Sequence, residues 1–191
     1  MTVLGIVLLC DTLTACNGAS TQANLSTNDT YNLGMDYLSG HGVSQDTTKA
    51  AALLSQAADP NKYHQNGFLG DLLGQSVSSQ AGNPDAQRML ATLLSSGNGI
   101  PQDTSGALLL YQEAALQGDG ASQAVLGLAY KKGKGVAESL PTAYAWYELS
   151  VKQNNDIDGK LGLQRITPKM SDEEKALGEQ LYSNLAQKVH S

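Results

Sequence analysis

The sequence predicts an all-α fold: an α/α solenoid of stacked helix-turn-helix repeats closed by C-terminal capping helices. Three observations predict it. A pattern of apolar stripe, Gly-x-Gly and second apolar stripe recurs three times in register, and self-similarity at a fixed period is the mark of a repeat architecture. Ala, Leu, Gln, Ser and Gly dominate a chain of 191 residues that holds one Phe and one Trp. Such a mix suits slim helices packed through small side chains. The two cysteines, Cys10 and Cys16, both lie near the start, so no later segment can form a disulfide framework or a Cys-type metal site.

In chain order, residues 1–15 read as a signal peptide. Val3 to Leu9 is an apolar run too short to span a bilayer. No Lys or Arg precedes it, and Asp11 follows closely. Leu13-Thr14-Ala15-Cys16 resembles the bacterial lipobox, in which cleavage leaves a lipidated cysteine at the new N-terminus. The resemblance implies that Cys16 carries acyl chains that anchor the chain to a membrane. Asn17, in place of the Asp that retains similar lipoproteins at the inner membrane, implies the outer one. The alternative is a buried N-terminal strand. Residues 16–29 hold a single Leu among Asn, Gly, Ala, Ser, Thr and Gln, and read as a flexible tether.

Residues 30–156 form the predicted repeat region. The Gly-x-Gly pairs are Gly40/Gly42, Gly97/Gly99 and Gly133/Gly135. Ala50, Ala107 and Ala143 follow at a fixed offset, and Tyr37, Leu94 and Tyr130 precede at another. In each unit the first glycine stops a helix A, because a helix end favours a left-handed residue without a Cβ. Asp46, Asp103 and Ser139 then cap a helix B, and Pro141 suits the first turn of its helix. Small pairs, Ala57/Ala58 and Ala114/Ala115, permit close contact with the next unit. The last two units are 36 residues apart and the first two 57. The excess falls at 60–82, where Phe68, Leu69, Leu72, Leu73 and Val77 have helical spacing. That stretch is expected to be a divergent unit. Residues 157–191 are the expected cap, with a capping box at Ser171 and Glu174 and a final helix to Lys188 covering the last apolar face.

The motif, LGxxYxxGxGVxxDxxKAxxxxxxAA in degenerate form, resembles the Sel1-like repeat (SLR), a relative of the tetratricopeptide repeat. The resemblance spans about Tyr31 to Val151. It implies a protein-binding solenoid whose concave face is lined by A helices. Lipoproteins with such repeats are similar to immunity proteins that neutralise antibacterial effectors, notably phospholipases delivered by type VI secretion. By that resemblance the partner is a cognate toxin. An envelope adaptor or assembly scaffold is the alternative.

A net charge of −6 argues against nucleic acid, which requires a basic face. The expected state is a monomer. His41, His64 and His190 form no catalytic or metal motif, so no enzyme activity and no cofactor is expected. Some Cys-rich relatives have been proposed as hydrolases, and their paired cysteines are missing here. The expected partner-binding residues are Asn32, Asp36, Gln87, Arg88, Thr92, Lys131 and Lys132 on A helices, with Tyr144 on the last B helix. Arg88 stands out because Arg is enriched at binding hot spots. Trp146 aligns with Leu53 and Leu110 and is expected in the core.

Overall fold

The computed structural model describes residues 25–59 and 82–189. Those residues form eight α-helices and one 3₁₀ turn: α1 (Thr27–Ser39), α2 (Thr47–Ala58), α3 (Pro84–Ser96), α4 (Thr104–Leu116), α5 (Gly120–Lys132), α6 (Leu140–Asn154), α7 (Ile157–Ile166), the turn Thr167–Lys169, and α8 (Asp172–Val189). The expected signal peptide and Cys16 lie outside the described residues.

Local chemistry sets the helix ends. Gly97 closes α3 at φ 69°, and its N–H donates to the Leu93 carbonyl, a left-handed stop that a Cβ would oppose. Gly40 and Gly133 end α1 and α5 in the same way. Side-chain oxygens of Asp46, Asp103 and Ser139 accept from the first-turn amides of Lys49, Gly106 and Thr142. Between the two ends, Gln45 and Gln102 each reach back to a carbonyl at the close of helix A, Leu38 and Ser95, at 2.8 Å in both cases. These are orphan acceptors that a helix leaves behind. Ser171 and Glu174 complete the expected reciprocal box, at 2.9 and 3.2 Å.

The helices pair as antiparallel hairpins, α1 with α2, α3 with α4 and α5 with α6, and each B helix packs on the next A helix. One core runs through the joints, from Leu54, Ala57 and Ala58 through Leu90, Leu93 and Leu94 to Tyr111, Ala115, Leu126, Trp146 and Leu149. The burial of small residues on facing helices lets backbones come close, as a stack of thin hairpins requires.

Two expectations differ from what the described residues show, and a third falls outside them. Residues 27–29 of the expected tether are helical: Ser26 caps α1 by accepting from Asp29 N–H at 3.1 Å, so the helix begins within the polar stretch. The expected divergent unit lies outside the described residues, apart from Gly82. The flanking residues show α2 packed directly on α3, with Asn83 N–H donating to Ala57 at 3.0 Å. A Cβ on Gly82 would overlap the Ala58 carbonyl. Finally, α8 does not seal the outer side of α7. It lies across α6 and reaches α4, because Tyr182, Leu185, Ala186 and Val189 pack into the main core. Ile157 on α7 stays 71% exposed as a result.

Candidate binding surface

Equivalent positions on successive A helices define a side of the stack. Met35, Thr92 and Leu128 share one register position, and Thr92 and Leu128 are exposed. Leu128 is 41% exposed on an otherwise well-buried α5, an apolar side chain on this side. The sequence reading passed over it because a leucine in an amphipathic stripe is assigned to the core by default. Its register with the polar Thr92 was the available cue. Asn32 and Lys132 are exposed on the same helices, and Lys131 is partly buried beside Lys132 in the last turn of α5.

Other expected contact residues are committed elsewhere. Gln87 is a correction: it is 3% exposed and cannot meet a partner. Its Nε2 donates to the Ala58 carbonyl at 3.2 Å and to Glu113 Oε2 at 3.3 Å, while Gln117 Nε2 donates to its Oε1 at 2.7 Å. Gln123 repeats this clasp one unit later. It donates to the Ala115 carbonyl and to Gln153 Oε1, both at 2.9 Å. Each clasp ties three helices together, where an unpaired buried amide would cost stability.

Arg88 is half-buried and paired. It donates to Asp85 at 2.7 Å, and its Nε lies 3.3 Å from Asp119 Oδ2. That same oxygen accepts from Ser122 N–H at 2.8 Å as the cap of α5. Arg88 thus bridges the second unit to the third. Burial acts to lower the guanidinium pKa, and Asp85 and Asp119 together outweigh that and raise it. Thr92 shares a 3.0 Å hydrogen bond with the Tyr111 hydroxyl. Asp36 sits 3.4 Å from His41 Nδ1.

Tyr144 lies under α8: a Cβ on Gly178 would come within 2.8 Å of its ring. Burial, then Glu148 and Glu179, push its hydroxyl pKa upward. Trp146 is 4% exposed, in the core as expected. The surface therefore keeps Asn32, Thr92, Leu128 and Lys132 available, with Asp36, Arg88 and Lys131 partly so. Among the described residues, no group of three His, Cys, Asp or Glu side chains could hold a metal ion. No helix among them is long and apolar enough to cross a membrane.

No curated protein matches the sequence. The structure is similar to a Sel1 repeat protein from Oxalobacter formigenes, at 28% identity and TM-score 0.58, covering 73% of this chain and 89% of that one. It is also similar to a protective antigen of uropathogenic Escherichia coli strains that displays an SLR fold. That likeness has 21% identity and TM-score 0.55, over 85% of this chain and 38% of the other. The Sel1 repeat family pattern matches residues 30–59, 84–119 and 120–155, the same three hairpins that the helix pairing draws. Over half of the sequence lies in those three matches, and the chain belongs to the Sel1 repeat family.

Proposed function

We propose that this chain is a non-enzymatic, periplasm-facing lipoprotein that binds a partner protein through the A-helix side of its repeats. In this reading Cys16 bears the lipid anchor, the membrane is the outer one, and the monomer binds its partner one-to-one. The partner is an antibacterial effector of the phospholipase type delivered by type VI secretion, which the chain neutralises as an immunity protein. Sel1 repeats generally mediate protein–protein interaction.

The observation that supports the reading most is the row through Thr92 and Leu128. Leu128 is held at the surface, in register with the exposed Thr92 and the half-buried Met35 and on the same helix as Lys131 and Lys132. An exposed apolar side chain flanked by a threonine and lysines suits a protein contact.

Co-expression with a candidate effector tests the reading. The intact chain should rescue growth, and Leu128→Glu should abolish rescue while keeping its thermal midpoint. Affinity capture from detergent-solubilised membranes should recover one effector in equal amount. Recovery of an envelope assembly component instead would favour the adaptor role. For the anchor, Cys16→Ser should move the chain to the soluble fraction; persistence in the membrane fraction would defeat that part.

A further inference from the structure

The second glycine of the second and third loops does more than end a turn. A Cβ on Gly99 would lie 2.5 Å from Thr47 Cβ, at the start of the preceding unit's helix B. A Cβ on Gly135 would likewise meet Thr104 and Leu108. The Gly99 carbonyl also accepts from Thr48 Oγ1 at 3.3 Å. The loop of one unit is therefore part of the joint to the unit before it. At the other end of the same joint, Gln87 and Asn83 hold α2 to α3.

The middle residue of the loop differs among units: His41, Asn98 and Lys134. In the first and third units its N–H closes the helix end, from His41 to Asp36 at 3.1 Å and from Lys134 to Ala129 at 3.0 Å. Asn98 makes no such bond among the described residues, and the Gly99 N–H donates to no backbone acceptor there. Asn98 is exposed. An asparagine before glycine, on a loop with one restraint fewer than its counterparts, is thus set beside a free backbone amide. Asparagine is among the thermolabile side chains for this reason, and neither His nor Lys can follow the same path.

We propose that Asn98–Gly99 is a self-modification site whose product loosens the joint between the first and second units. The Gly99 nitrogen gives its proton to solvent base and attacks Asn98 Cγ. The Cγ–Nδ2 bond breaks, ammonia leaves, and a five-membered succinimide forms. Water then opens the ring at either carbonyl, to aspartate or to isoaspartate, with no change in oxidation state. The isoaspartyl product routes the main chain through Cβ and Cγ. That adds one methylene to a loop whose next residue has no spare room against Thr47, and it adds one negative charge.

The test ages the purified full chain at mildly alkaline pH, well below its unfolding temperature, and follows it by peptide mapping with isoaspartyl-methyltransferase labelling. Asn17 and Asn66, which also precede glycine, serve as chemical comparators in the same digest. Isoaspartate should accumulate in the Asn98 peptide, and hydrogen exchange should then rise in α1 and α2 while α5 and α6 keep their protection. An Asn98→Ser variant should age without that change. Fresh Asn98→Asp, which carries the charge without the extra methylene, should keep the protection of the native chain. The proposal fails if Asn98 stays an amide while Asn66 converts. It also fails if Asn98 converts with exchange in α1 and α2 unaltered, or if aged Asn98→Ser loosens equally.

Discussion

Gln87 and Gln123 occupy the same position of successive units, and each is buried with its amide shared between two neighbouring helices. Truncating one leaves a buried carbonyl and a neighbouring amide without partners. Gln87→Ala should therefore lower stability by about 1–3 kcal/mol, read as a shift in denaturant midpoint. Asn32→Ala, at an exposed site, should leave the midpoint within about 0.5 kcal/mol of the parent. A glutamine on a helix stripe reads as solvated because its chemistry is polar, which is why its role was not legible from unit two alone. The identical residue at the same place in unit three was the usable sign. Arg88 was hidden for a related reason: its partner Asp119 is far along the chain and serves as a cap. Tyr144 carries a pH dependence. Its hydroxyl pKa is raised above the ordinary 10.0 by burial first and then by Glu148 and Glu179. A raised pKa means that the folded state favours the protonated phenol. Its contribution is full below the unfolded value and is lost as pH climbs through the folded one. Thermal stability should fall on the alkaline side of pH 10, less steeply in Tyr144→Phe.

Hairpins owe their geometry to close approaches between elements. The Tyr147 ring on α6 sits between two glycines, Gly127 on α5 and Gly162 on α7; a Cβ on either would come within 2.6 Å of the ring. Gly162→Ala should overpack this contact and cost about 1–3 kcal/mol, and pairing it with Tyr147→Leu should recover part of the loss in a double-mutant cycle. The helix ends were readable beforehand at Asp46, Asp103, Ser139 and Ser171, since a cap is a matter of three or four consecutive residues. The seat of α8 was not. Its apolar positions Tyr182, Leu185 and Val189 tell which side is buried, and no local pattern tells whether α7 or α6 receives it.

The whole molecule folds α8 back across α6 toward α4, and Trp146, the only tryptophan, lies in the core that α8 helps to close. That placement supplies a native reporter. Leu185→Asp should lift α8, shift the Trp146 emission to longer wavelength and retain most of the far-ultraviolet helix signal. The joints also have a consequence for how such a chain lengthens. Unit two meets unit one, and unit three meets unit two, through matching glutamine clasps and matching glycine–threonine fits. The matched spans 84–119 and 120–155 abut without a spacer. Residues 84–119 carry both mating edges, Gln87 and Gly99 toward the unit before and Thr104 and Ala115 toward the unit after, so a tandem copy of that span inserted after Asp119 would meet its template through contacts already in use. Duplication of this middle hairpin can extend the array by a whole step, whereas the last hairpin, with Leu140 in place of Thr104 and its second helix covered by α7 and α8, is built to end it.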